Sequence, residues 1–114
     1  MSGYFNYILR CADGTLYSGF TTDPAARLAA HKAGKGAKYT RSRRPVELIA
    51  LWQWPDKHAA MSAEYRVKQM TREQKERLIA RKARLEGGRR VSEKRLERLL
   101  HSEDTTSKKE GALQ

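Results

Sequence analysis

The chain has 114 residues, with 24 Lys and Arg against 13 Asp and Glu, a formal net charge of +11 and a pI near 10.2. That length gives one domain with a modest core. One cysteine, Cys11, excludes an internal disulfide framework, and with three scattered His it argues against a structural zinc site. No apolar run approaches the roughly 18 residues of a membrane span, and the N-terminus lacks the pattern of a secretory signal, so a reducing cytoplasm is expected.

In chain order, residues 4–11 (YFNYILRC) are aromatic and β-branched and read as a strand. Ala12-Asp13-Gly14-Thr15 is a turn signal, and residues 16–20 (LYSGF) read as a second strand. Thr22 or Asp23 as N-cap and Pro24 in the first turn announce a helix to about Ala33, stopped by Gly34. Residues 34–45 are a basic loop. Residues 46–54 (VELIALWQW) form the third strand, closed by Pro55. A helix is predicted over 57–70. Thr71 and Gln74 form a capping-box signature for another over 72–85, broken at Gly87-Gly88. Ser92 caps a short helix to about Leu100, and the polar residues 101–114 are expected to be disordered. The order β-β-α-β-α-α is an α+β fold with a small three-stranded antiparallel sheet flanked by helices. The compact domain is expected at 1–82. A basic C-terminal extension, 83–114, adds electrostatic grip and little core.

The surplus charge calls for an anionic partner, and phosphate is the commonest. No acidic residue lies between Asp23 and Glu47, a window holding Arg27, Lys32, Lys35, Lys38, Arg41, Arg43 and Arg44. The bland alternative is a solvated face that serves solubility.

Loop length decides whether two tyrosines meet. A two-residue turn at Asp13-Gly14 puts Tyr7 and Tyr17 on opposite faces of the hairpin. A three-residue loop, Ala12-Asp13-Gly14, pairs Leu9 with Tyr17 and makes Tyr7 and Tyr17 diagonal neighbours on one face. Asp-Gly suits either turn. Arg27 and His31, four apart, share a helical face. Glu64 borders the apolar side of the later helix, where it either serves a site or pairs with Lys68 one turn on.

Phe5-Asn6-Tyr7 and Tyr17-Ser18-Gly19, with Tyr7 and Tyr17 ten residues apart, resemble the two halves of the GIY-YIG nuclease motif. Arg27, His31, the Lys38-Tyr39-Thr40-Arg41 stretch with Pro45, and Glu64 fall where that family would have them. Ala63-Glu64-Tyr65-Arg66 and Lys68-Gln69 look like its small single-domain bacterial branch (UPF0213-like). The likeness covers about residues 3–80. Ser18 stands where the family has isoleucine. Several members use an asparagine after the glutamate, whereas here Asn6 is the only Asn.

The resemblance implies a metal-dependent endonuclease hydrolysing DNA phosphodiester bonds, in DNA repair or processing. The implied catalytic set is Tyr7, Tyr17, Arg27, His31 and Glu64, with Mg²⁺ or Mn²⁺ at Glu64. Lys35, Lys38, Thr40, Arg41, Arg43, Arg44 and Lys68 would contact flanking phosphates. DNA, including branched or single-stranded forms, is the expected partner and RNA is an alternative; a membrane is not, and a monomer is the default. The competing reading is a nucleic-acid-binding module on the same scaffold with little or no cleavage.

Overall fold

The computed structural model describes residues 3–100. The elements are β1 (Tyr4–Cys11), β2 (Leu16–Thr21), α1 (Pro24–Lys32), α2 (Lys38–Arg41), β3 (Val46–Trp54), α3 (Lys57–Lys68), α4 (Arg72–Ile79) and β4 (Arg89–Arg90). Residues 93–100 are again helical. The disorder expected over 101–114 lies outside the described residues.

One antiparallel sheet runs in the order β2-β1-β3-β4. The expected three strands are therefore corrected to four. β4 is two arginines, paired with Trp52 and Gln53 of β3, and neither the β-propensity nor the length of that segment announced it. The α+β class and the antiparallel pairing hold.

Local chemistry explains most boundaries. Asp23 caps α1, its carboxylate accepting from the Ala26 amide at 3.1 Å, and Pro24 fills the first turn. Gly34, at φ 80°, ends that helix. Thr71 and Gln74 form the predicted reciprocal capping box of α4. Ser92 accepts from the Arg95 amide at 3.1 Å.

Helix α4 stops at Ile79, short of the expected residue 85. Its sequence continues as a good helix former, but tertiary packing wins. The chain turns at Arg81 (φ 63°) and carries Leu85 back into the core. Arg90 then covers the freed helix carbonyls, donating to Leu78 O at 2.8 Å and Ile79 O at 3.2 Å. Gly88 lies flat on the Trp54 ring, where a β-carbon would clash.

Alternation along β1 separates two cores. Ile8 packs with Ala50, Trp52, Trp54, the Ala60, Ala63 and Val67 stripe of α3, Leu78 and Leu85. Phe5, Tyr7 and Leu9 pack with Leu28 of α1, Leu51 and Val91. Helices α1 and α3 thus lie on opposite faces of the sheet. Leu85 and Val91 are 4% and 3% exposed, and Leu96, Leu99 and Leu100 pack beside the α1-side core. Leu85 and Val91, past residue 82, thus belong to the two cores. No helix among the described residues is long and apolar enough to cross a membrane.

Candidate active site

The hairpin adopts the three-residue loop. Leu9 faces Tyr17 and Tyr7 faces Gly19. The Cys11 amide donates to Thr15 O at 2.9 Å, and Gly14 takes the left-handed φ of 85°. Tyr7 and Tyr17 therefore share the α1 face, ring centroids 6.5 Å apart. Gly19 leaves the space that the Tyr7 ring occupies: a β-carbon there would fall within 3 Å of the ring.

His31, one turn after Arg27 on α1, lies against both phenols, 5.8 Å from the Tyr7 centroid and 5.4 Å from that of Tyr17. It is 1% exposed. Its Nε2 is 2.9 Å from the Tyr7 hydroxyl and its Nδ1 is 2.8 Å from Thr40 Oγ1. The direction of this chain follows from its far end. Thr40 Oγ1 is 3.0 Å from the Ala37 carbonyl, which can only accept. The single Thr40 hydroxyl proton goes there, so Thr40 accepts from His31 Nδ1–H. Nε2 is left as the acceptor, and Tyr7 O–H donates to it.

Electrostatics agree with neutral partners. Burial, and then the charge of Arg27, hold the His31 imidazole below its ordinary value of 6.5. Burial first, and the neighbouring Tyr17 second, push the Tyr7 phenol well above its ordinary 10.0; Arg27 pulls it down and Glu64 pushes it up. At neutral pH the site holds a phenol hydrogen-bonded to a neutral imidazole.

Arg27 borders the same small cleft as Tyr7. It is exposed, and its guanidinium has no hydrogen bond or ion pair among the described residues. Glu64 belongs to the other layer. Its carboxylate is 21% exposed and pairs with Lys68 at 3.2 Å. It has no hydrogen bond to Tyr7, Tyr17, Arg27 or His31, and acts on Tyr7 through its charge. Tyr7, Tyr17, Arg27 and His31 are thus brought together, with Glu64 within electrostatic reach.

The basic segment divides. Lys35, Lys38 and Arg41 are exposed. Thr40 is fully buried behind His31, so its expected phosphate contact is corrected: the basic run hides one threonine that faces inward. Arg43 donates to Asp13 at 3.1 Å and to Tyr39 O at 2.9 Å. Arg44 holds the Arg41 and Lys32 carbonyls at 3.0 and 3.4 Å. Both Arg43 and Arg44 are occupied in joining α2 to its neighbours. Lys68 is taken by Glu64.

Two residues were given no role by the sequence: Tyr39, named only as part of the Lys38–Arg41 stretch, and Gly36. Tyr39 stacks on Tyr17 at 5.8 Å, the Arg43 guanidinium lies 3.9 Å from its ring centroid, and it stays 39% exposed. An aromatic amid basic residues was the available signal. Gly36 lies against the His31 ring with no room for a β-carbon; nothing in the sequence marks it. Asn6 lies on the opposite face, buried, accepting from Trp54 Nε1 at 2.6 Å, so it plays no part beside the tyrosines.

The GIY-YIG catalytic domain model matches residues 3–77. UPF0213 protein BH0048 of Halalkalibacterium halodurans is 49% identical over 79 residues, covering 69% of this chain and 84% of that protein. UPF0213 protein RBAM_000440 of Bacillus velezensis is 51% identical over 83 residues, covering 73% and 84%. A solution NMR structure of UPF0213 protein BH0048 from Bacillus halodurans covers 75% of this chain and 86% of its own, at 47% identity and a TM-score of 0.47. The chain belongs to the GIY-YIG catalytic domain family, a family of endonucleases, and within it to the UPF0213 proteins.

Proposed function

We propose that this protein is an endonuclease that hydrolyses DNA phosphodiester bonds with a divalent cation held at Glu64. The observation that carries the reading is the directed chain Tyr7–His31–Thr40–Ala37 beside a cleft that Arg27, its guanidinium unengaged, also lines. A neutral imidazole buried against a phenol and aimed at its proton is more than sheet packing requires.

The donor set decides which cation fits. Among the described residues no three His, Cys, Asp or Glu side chains cluster as a preformed cage. A single hard carboxylate suits Mg²⁺ or Mn²⁺, which retain water and take further oxygens from the substrate. Such a cation stabilises charge on the leaving oxygen when bound.

The protein's own groups account for the rest. Arg27 presents a planar fork to a non-bridging phosphoryl oxygen, which a lysine would hold less well. Tyr7 accepts a proton from the attacking water while its own proton passes to His31 Nε2. This relay needs no free phenolate, which suits a buried phenol. Thr40, accepting from Nδ1–H, keeps the imidazole in the required tautomer. Tyr17 packs against both rings and presents its own hydroxyl to water or phosphate. Lys35, Lys38 and Arg41 bind flanking phosphates without reading sequence.

The Glu64–Lys68 pair at 3.2 Å favours a second reading, in which the same surface binds nucleic acid without cutting it. One experiment separates the two. Purified protein is incubated with supercoiled plasmid, with and without Mg²⁺ or Mn²⁺. Cation-dependent nicking that disappears in Glu64→Ala, with binding retained, supports the nuclease. Binding without nicking in either cation, or nicking that survives Glu64→Ala, refutes it.

A further inference from the structure

We propose that the cleft between the end of α4 and β4 is a second ligand site, shaped for the phosphate monoester of a nucleotide-sized molecule. It is separate from the tyrosine site: its wall includes Trp52, which belongs to the core on the α3 side of the sheet. The cleft holds about 400 Å³, within the range of small-molecule sites. Its charged lining is Arg81, Arg84 and Arg90, with no acidic residue.

Three cations on one cleft repel one another unless an anion sits among them. Neither the Arg81 nor the Arg84 guanidinium has a hydrogen bond or ion pair among the described residues, so both remain available. Arg90 is fixed. It donates to Leu78 O and Ile79 O and lies 5.2 Å from the Trp52 ring centroid. It thereby covers the negative end of α4, which would otherwise repel an anion. Its Nε–H is buried without a partner among the described residues. Burial, and then the charge of Arg81, depress the Arg90 pKa, while Glu93 acts in the opposite direction.

Arg81 supplies an independent observation. Its φ of 63° lies in the left-handed region, just after the α4 cap, where glycine is the favoured residue. An arginine there carries backbone strain while its side chain bonds to nothing in the fold. A ligand contact accounts for it. Guanidinium forks match phosphate oxygens bidentately, and a monoester dianion offsets more of the local charge than a carboxylate would.

The test uses the full chain, ¹⁵N-labelled, titrated with inorganic phosphate, dAMP and a 5′-phosphorylated oligonucleotide. The Trp52 indole and Gly88 amide signals report this cleft, and the His31 ring reports the other site. Saturable shifts at Trp52 and Gly88 are expected with phosphate and dAMP, unaffected by Arg41→Ala. Arg84→Ala should weaken them about tenfold or more. Arg81→Gly should do the same while leaving the melting temperature unchanged or higher, because glycine relieves the left-handed strain. A response to the oligonucleotide alone would assign the phosphate to a strand end. No saturable shift with any probe, shifts that persist in both variants, or an Arg81→Gly protein that loses stability as well as binding would overturn the proposal.

Discussion

Thr40→Val tests the buried chain behind Tyr7. The two side chains are nearly the same size, and Thr40 is fully buried, so the substitution removes a hydroxyl and opens no cavity. Two interactions go: the donation to Ala37 O at 3.0 Å, and the acceptance from His31 Nδ1–H at 2.8 Å. A buried donor left without a partner costs about 1–3 kcal/mol, and the second lost bond about 0.5–1.5 kcal/mol. The expected loss is therefore about 1.5–4.5 kcal/mol, or a fall of about 6–22 °C in melting temperature at about 4–5 °C per kcal/mol for a domain of this size. His31 has one escape, which is to move its proton to Nε2. Tyr7 must then accept where it had donated, and the relay runs backwards. Urea unfolding, the ¹⁵N shifts of the His31 ring and plasmid nicking read the three consequences. A variant that unfolds at the wild-type midpoint with its proton still on Nδ1, or a wild-type imidazole already protonated on Nε2, would refute the reasoning.

Gly19→Ala places a β-carbon inside the Tyr7 ring; nicking should fall with Tyr7→Phe-like severity, roughly 10²–10⁴-fold for a lost proton transfer, and the variant should melt earlier. Arg41→Ala should flatten the dependence of log binding on log salt by about one unit with little change in stability, whereas Arg43→Ala should lower stability, because Arg43 joins Asp13 to Tyr39; equal salt-slope effects would contradict that division. His31 is held neutral by burial, so the unfolded chain takes up its proton first as pH falls below 6.5. The stability it contributes is present above that pH and is lost on acidification below it; urea midpoints from pH 8 to 5 should fall more steeply for the wild type than for His31→Asn, and parallel profiles would refute the buried neutral state.

Most boundaries up to Gln74 were legible because they are local chemistry: Asp23 before Pro24, Gly34 after α1, Pro55 after β3, Thr71 with Gln74; helix α2 (Lys38–Arg41), inside the stretch expected to be a basic loop, was not. The shared tyrosine face was one of two open registers, and only the backbone at Gly14 decides between them. What escaped the sequence depends on distant packing. Thr40 looked like part of a cationic run because its burial comes from His31, on another helix. Arg43 and Arg44 carry the charge of phosphate ligands, but Asp13 and the carbonyls of residues 32 and 41 occupy them. Strand β4 is two arginines held by pairing to Trp52 and Gln53, with no strand-forming side chain to signal it. Helix α4 ends early because Leu85 is drawn into the core, a long-range gain that no local propensity encodes.

The most direct measurement is a crystal structure of the full chain with Mn²⁺ and a short phosphodiester analogue, read by anomalous scattering. Manganese is expected on the Glu64 carboxylate, displacing Lys68, with a phosphoryl oxygen on Arg27 and a water about 3 Å from the Tyr7 hydroxyl. Manganese bound elsewhere while Glu64 stays paired to Lys68, or an analogue that leaves Arg27 untouched, would contradict it.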